Sequence, residues 1–545
     1  MNQARSMGIM ISAYRPLRLA LGMLIALFIS GCASYASTNT VWQTATALPT
    51  KASFTITPRP GKQQEKVLVL LALSGGGSRA AYFSARTMLA LSELAGPQGQ
   101  AVDVLGEVDL ISAVSGGSLA AAFYASTYDD DSAAVSSVPA GARRWDQASI
   151  DHELRKNFIM RWIGNWFWPT NLLKFWLTAF DRTDIMAQTF ADNLFDTVPL
   201  GNDLLMRDLN PARPNLIINA TLGSTSPCTT RVNGTKTFGS VFTFTEEDFK
   251  DKLNADIAGY ELARAVMASS TFPAVFNFMT LTDFSDRNED CIQSNTPGSR
   301  YVHTFDGGNS DNLGLRSITR SLLTNRAAAI KHYSRIVVIL VDAYRPSIGA
   351  NPIRPDPRNA ISYVVDTNFM ESSDSLLEAN RHGLLMSYFG RSLANQQSPD
   401  ACLRESLPDH ACVASPHHDW HSPAGFDVQR ALRDKLFFFH IAFDAVDDPG
   451  LKEALQAIPT TFNLSSSYRQ VGDETLLIDE AGIIRAGVDN IFAGANDQVR
   501  DCISTLASII VDPETAPIPG RQNSWCGSAQ AAGNRLGPVP GMQDP

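Results

Sequence analysis

Three short stretches of this sequence carry groups able to do chemistry. Ser115 sits in Ala113-Val114-Ser115-Gly116-Gly117, after an apolar run and before a small-residue helical stretch. That is a strand-to-helix turn of the G-x-S-x-G type with Ala for the first Gly, which presents a serine hydroxyl as a nucleophile. The helix N-terminus behind it favours negative charge on the attacking oxygen. The same residues also suit a serine that merely caps a helix. Ser74-Gly75-Gly76-Gly77-Ser78-Arg79 follows an earlier apolar run. Consecutive glycines turn sharply and leave N–H groups unshielded, as an anionic group requires. His303-Thr304-Phe305-Asp306-Gly307-Gly308 closes a third run. Alone, its Asp-Gly-Gly reads as a turn.

The elements around these stretches must place them together. Residues 67–73 are continuously apolar, as in a strand buried on both faces, and a helical stretch runs from Ala80 to about Leu94. A second strand spans 108–114 and a small-residue helix follows to about Thr127. Strand, crossover helix and parallel strand bring both strand C-termini to one sheet edge, where ligand sites of open α/β sheets lie. Further strands are expected at 215–220, 241–245, 301–305, 336–341 and 435–443, and helices at 258–269 and 313–332. The alternation predicts an α/β fold: a mostly parallel central sheet flanked by helices. Residues 145–200 form an aromatic-rich helical insertion; Trp162, Trp166, Trp168 and Trp176 are half of the chain's eight tryptophans. The insertion reads either as a substrate-facing lid or interfacial segment, or as a buried cap on the core.

In their order and strand-end placement, the glycine run with Arg79, the serine elbow and the late Asp-Gly-Gly resemble the patatin-like phospholipase family. Residues 269–276 and 311–315 also fit its pattern. The resemblance covers 66–345 and extends toward residue 500, with Ala80 and Ala113 where the family usually has Gly. It implies a patatin-like fold and a Ser-Asp dyad in which Ser115 attacks an ester carbonyl and Asp306 accepts its proton. The oxyanion would be met by N–H groups of Gly75, Gly76 and Gly77, helped by Arg79. The implied substrates are phospholipids or lysophospholipids, hydrolysed through an acyl-enzyme with no cofactor and no metal. A carboxylate of ordinary pKa, about 3.9, is a poor base at neutral pH. Asp306 must therefore touch the hydroxyl and be shielded from water.

Other readings compete. A Ser-acid-His order could recruit His332, His382, His410 or His440, though none has a strand-end context and His440 interrupts an apolar strand. His417, His418 and His421 lie in a Pro-flanked loop that reads as solvated rather than metal-binding. Gly75-x-Gly77-x-x-Ala80 formally satisfies a dinucleotide fingerprint, but the second strand ends in Val114-Ser115 where that fold needs an acid. An inactive patatin-like adaptor would need neither Ser115 nor Asp306.

Composition bounds the rest. With 44% hydrophobic and 18% charged residues, the 545-residue chain is neither disordered nor fibrous. A net charge of −10 and the lack of a polybasic run argue against a nucleic-acid partner. Arg5, Arg15 and Arg18 precede an apolar or small run at 19–30, too short to span a bilayer and arranged as a signal peptide, residues 1–31. Its end, Ile29-Ser30-Gly31-Cys32, resembles the bacterial lipobox. That implies a lipidated Cys32 as membrane anchor and, with Ala33 next, sorting to the outer membrane, the enzyme facing periplasm or cell surface. Removing three arginines takes the net charge to −13. Residues 32–65 read as a tether, 66–500 as the hydrolase domain and 501–545 as a Pro/Gly-rich tail. The six remaining cysteines suit disulfides in an exported protein. Proximity favours Cys402–Cys412 and Cys502–Cys526, leaving Cys228 with Cys291.

Overall fold

The computed structural model describes residues 37–43, 50–57, 59, 61–128, 144–196, 203–224, 238–272, 275–285, 301–344, 377, 380–381, 384–385, 432, 435–464, 467–471, 474–494, 497–514 and 525–526. The signal sequence, Cys32, Cys228, Cys291, Cys402, Cys412, His382, His410 and the 417–421 histidines lie outside them. The elements used below, in chain order, are β1 (Val67–Leu73), α1 (Gly77–Leu91), β2 (Val108–Val114), α2 (Gly116–Ser126), α3 (Phe158–Trp166), α4 (Pro169–Leu177), α5 (Arg182–Phe190), β3 (Asn215–Leu222) and β4 (Val241–Phe244). They continue as α6 (Glu246–Leu253), α7 (Leu262–Ser269), β5 (Met279–Thr282), β6 (Tyr301–Asp306), α8 (Leu315–Thr324), β7 (Arg335–Asp342), β8 (Leu436–Ala442), α9 (Asp497–Val511) and β9 (Trp525–Cys526).

Nine strands make the main sheet in the order β9-β8-β7-β1-β2-β3-β6-β5, with β4 also on β3. The six from β9 to β3 are mutually parallel; β4 and β6 run antiparallel to β3, and β5 pairs antiparallel with β6. The mostly parallel sheet flanked by helices expected from the alternation is what forms. Every residue of β1 is buried, and the strand's alternation feeds two cores. Val67, Val69, Leu71 and Leu73 pack on one side, while Leu68, Leu70 and Ala72 pack on the other.

Differences from the sequence reading have local causes. The helix expected over 313–332 divides at Asn325, whose amide donates to Phe54 O and Ser321 O instead of staying in solvent. The expected boundary at residue 500 falls inside α9, and β9, within the supposed tail, pairs with β8. Two-residue β9 has no periodicity to find. The insertion is helical, but the outer faces of α3 and α4 are exposed, so it is not a cap buried in the core. Among the described residues, no helix is long and apolar enough to cross a membrane.

One buried ion cluster clamps the segments that carry the site. Asp248 of α6 accepts from Arg320 Nη1 of α8 at 2.7 Å and from Lys252 Nζ at 2.9 Å. Burial pushes this carboxyl up, but Arg320 and Lys252 outweigh it and hold it below the usual carboxylate range. Its stabilisation is therefore present at neutral pH and lost on acidification. Asp248→Asn should destabilise the fold by about 3–5 kcal/mol at pH 7, because it leaves buried cations without their carboxylate. Urea unfolding measures this; a loss within about 0.5 kcal/mol, the range of ordinary surface changes, would show that the clamp is dispensable.

Candidate active site

The sheet register brings the serine and the aspartate level with one another. Val114 pairs with Asn219 across the parallel β2–β3 ladder, and Asp306 pairs with Ala220 across the antiparallel β3–β6 ladder. Ser115, one residue past Val114, thus lies at the height of Asp306. An antiparallel strand would ordinarily end at the opposite edge. Strand β6 instead enters from beyond the C-terminal edge and stops after six residues. Glycine ends it, since a Cβ on Gly307 would collide with Asn219 O and come within 2.9 Å of Val114 Cγ1.

Ser115 adopts φ 47° and ψ −121°, and Asn254 is the only other non-glycine residue with positive φ among those described. Such a conformation costs of order 1–3 kcal/mol and persists only where the surroundings impose it. The imposing contacts are identifiable. The Ser115 N–H donates to Ser269 Oγ at 2.7 Å, and Ser269 Oγ donates to Asn219 O at 2.5 Å. The Asn219 amide donates to Ala113 O and Ser112 Oγ, both at 2.9 Å. A Cβ on Gly116 would strike Gly77 backbone, and one on Gly117 would strike Ser74 O at 2.6 Å. These glycines permit the close approach.

The hydroxyl does not cap α2: Ser115 occupies the N-cap position without a side-chain capping bond. Its Oγ donates instead to Asp306 Oδ2 at 3.1 Å. The helix-cap reading is thereby replaced by a serine–carboxylate pair. Asp306 Oδ1 accepts from Gly308 N at 2.8 Å, and Thr221 Oγ1 donates to Asp306 O at 2.7 Å. Ser115 and Asp306 are 6% and 5% exposed. Burial raises the Asp306 carboxyl to about 7, against the lowering effect of the Gly308 N–H and the Ser115 hydroxyl. This is the perturbation a neutral-pH base needs.

The glycine loop divides by role. Gly75 N–H donates to Asn312 O at 3.0 Å, so it is engaged within the loop rather than offered as an oxyanion donor. Gly76 and Gly77 have φ 140° and 61°, and their N–H groups have no acceptor among the described residues. Gly77 N lies 2.7 Å from the position of a Cβ on Gly116, beside the serine elbow. Arg79 is buried in the first turn of α1, and its Nη1 donates to Ile458 O at 2.7 Å. That contact ties the loop to residue 458. The two N–H groups left for an oxyanion are therefore those of Gly76 and Gly77.

Sequence reasoning missed two positioning residues. Asn312 holds the Gly75 N–H, and its Oδ1 lies where a Cβ on Gly75 would sit and 2.9 Å from one on Gly308. It lies between the glycine loop and the Asp306 turn. The signal was its presence in the 311–315 stretch, four residues after Gly308. Ser269 ends α7 and orients the elbow; the signal was its place at the head of the 269–276 stretch. Asp311, from the same stretch, caps the turn into α8 through Leu313 N, Gly314 N and Arg316 N.

The histidine alternatives do not converge on this site. His440 Nε2 lies 3.0 Å from Asp342 Oδ2, a carboxylate also held by Arg381, three strands from β2. His332 follows a short helix that leads into the start of β7, at the far edge of the sheet. His303 faces Thr280 Oγ1 at 3.1 Å and Phe278. Among the described residues no histidine bonds Ser115 or Asp306. The dinucleotide reading also meets an obstacle: the elbow backbone at Gly116 packs on Gly77, where a pyrophosphate would approach. No three His, Cys, Asp or Glu side chains cluster as metal ligands among the described residues.

Asp306 links the site to stability. In the folded chain it keeps a proton up to about pH 7, whereas the unfolded chain releases it in the ordinary carboxylate range. Between those values stability falls as pH rises. In Asp306→Asn the amide can donate to Ser115 Oγ and its oxygen can accept from Gly308. The variant should therefore unfold at a higher temperature than wild type at about pH 8, the difference fading towards about pH 4. A parallel pH dependence in the two proteins would contradict the burial cost assigned to Asp306.

Residues 71–318 match the family model described as patatin-like phospholipase. No curated protein matches the chain. Among solved structures, the chain is similar to human GIVD cytosolic phospholipase A2, with 13% identity, 51% of this chain and 43% of that one covered, and a TM-score of 0.28. It is also similar to VipD from Legionella pneumophila (14% identity, 72% of each chain, TM-score 0.21). A third is the type III effector protein ExoU (13% identity, 74% of this chain, 72% of that one, TM-score 0.19). The match spans less than half the length of the human protein.

Proposed function

We propose, from the premise that residues 71–318 form a patatin-like phospholipase domain, that this chain is a serine acyl hydrolase acting on carboxylic esters of phospholipids or lysophospholipids. The observation that carries the reading is the Ser115 hydroxyl turned away from its helix and donating to a buried carboxylate at 3.1 Å. Ser115 Oγ attacks the ester carbonyl carbon as its proton passes to Asp306 Oδ2. The tetrahedral oxyanion accepts from Gly76 and Gly77 N–H, and losing one such donor typically costs about 2.7–4 kcal/mol of barrier. Collapse breaks the C–O bond, and Asp306 returns the proton to the departing alcohol. Water then attacks the acyl-serine with Asp306 again as base, releasing the fatty acid.

A carboxylate can fill this role without histidine because its base strength is matched to neutral pH. Its two oxygens are assigned separately: Oδ1 is fixed by Gly308 N–H, leaving Oδ2 for the proton. Attachment at the membrane is proposed to come from Cys32, lipidated and left as the mature N-terminus once residues 1–31 are removed, with the enzyme on the periplasmic or outer face. Replacing Cys32 with Ser should abolish incorporation of radiolabelled palmitate in cells; retained label would refute that anchor.

A serine-directed fluorophosphonate, followed by intact-mass and peptide mass spectrometry, tests the nucleophile. Wild type should gain one adduct at Ser115 and release fatty acid from phosphatidylcholine or its lyso form. Ser115→Ala should lose both, with hydrolysis falling by about 10⁴-fold or more. An adduct elsewhere, or hydrolysis retained in Ser115→Ala, refutes the assignment. A correctly folded wild type with neither adduct nor hydrolysis would favour an inactive adaptor.

A further inference from the structure

We infer that the α3–α4 hairpin is a docking surface for the anionic phospholipid bilayer, a contact separate from both the dyad and the expected anchor. Fourteen large hydrophobic side chains are exposed among the described residues, and eight of them fall between residues 160 and 177. Phe167, Trp168, Leu173, Trp176 and Leu177 are each 56–73% exposed. Exposed apolar side chains concentrated in one segment in this way mark a contact with something apolar.

Charge identifies the occupant. The chain carries −10 overall, yet no Asp or Glu occurs from residue 154 to residue 180, while Arg155, Lys156, Arg161 and Lys174 do. Arg155 and Lys156, at the root, pair with Asp479 and Glu153. Arg161 and Lys174, on the hairpin itself, have no carboxylate partner among the described residues. Arg161 meets Asn193 Oδ1, and Lys174 lies over the Phe180 ring. An apolar face rich in Trp, Phe and Leu with unpaired cations beside it suits the headgroup–acyl boundary, where basic groups meet anionic lipid. A second copy docking through the same hairpin would set Arg161 and Lys174 against their own counterparts, like charge facing like.

The hairpin is also joined to the site. Phe158 N at its root donates to Phe462 O at 3.1 Å, and the neighbouring Thr461 O accepts from Ser78 N of the glycine loop at 2.7 Å. Trp162 packs edge-on against Phe276, which in turn meets Phe462. Docking through α3 and α4 therefore holds the glycine loop near the lipid surface. The inference rests on the proposed lipid-ester activity for its purpose, but binding is read separately from hydrolysis.

The test uses the full-length chain carrying Ser115→Ala, so that vesicles are not consumed. Tryptophan fluorescence is read with phosphatidylcholine vesicles, with and without phosphatidylglycerol, whose acyl chains are brominated. Four of the eight tryptophans lie in this segment, so the difference in quenching between proteins that differ only in the hairpin reports on this contact. Quenching should occur and be stronger with phosphatidylglycerol. Adding Leu173→Glu and Leu177→Glu, exposed positions that keep every tryptophan, should cut quenching about fivefold or more at an unchanged unfolding midpoint. Arg161→Gln with Lys174→Gln should remove the preference for phosphatidylglycerol. The inference is overturned by no quenching, by equal quenching in the Leu→Glu protein, or by a lipid-free dimer that those substitutions split. A chain that inserts but hydrolyses no ester would refute the catalytic reading and leave this one standing.

Discussion

The hydrogen bond between Ser115 and Asp306 is the contact around which the rest of the molecule is arranged. It joins the ends of two strands that do not pair with each other, β2 and β6, which follow one another along the same side of β3. Three conditions have to hold together. The elbow must stay in a conformation that serine disfavours, β6 must stop level with it, and the carboxylate must be buried without losing the proton it exchanges. Ser269 and Asn219 secure the first, the glycine after Asp306 the second, and the desolvation of Asp306, against the lowering effect of the Gly308 N–H, the third. Each condition is met by short contacts among small residues, which is why this corner is dense in Ser, Gly and Asn.

Desolvation is the electrostatic counterpart of that geometry. A water-exposed carboxylate would be too weak a base, whereas burial raises Asp306 to about 7 and makes it a proton acceptor at neutral pH. Contrast two other buried aspartates. Asp248 and Asp342 sit beside arginines that hold them ionised, so they are clamps rather than bases. No cation is hydrogen-bonded to Asp306 among the described residues. Asp306 differs from these two clamps in having no arginine bonded to its carboxyl among the described residues.

Much of this was legible in the sequence, and what was not has physical reasons. The continuously apolar run at 67–73 identified a strand buried on both faces, and Ala113-Val114-Ser115-Gly116-Gly117 identified the turn that follows its partner. The direction of β6 was not legible, because a strand's periodicity is the same whichever way it runs. Nor was the diversion of Gly75 N–H to Asn312, which depends on a contact across 237 residues. The split at Asn325 shows a polar side chain finding carbonyls that only the folded chain brings near. Aromatic content marked the 145–200 insertion, but only the exposure of α3 and α4 shows that they face outward.

The central claim is that Asp306, with no histidine, is the base for Ser115. The most direct measurement is the rate of fluorophosphonate adduct formation at Ser115 across pH, in wild type and in Asp306→Asn. Wild type should follow a single ionisation near 7, rising with pH. The variant should react far more slowly and lose that inflection. An unchanged inflection in the variant would show that another group takes the proton, and would contradict the account.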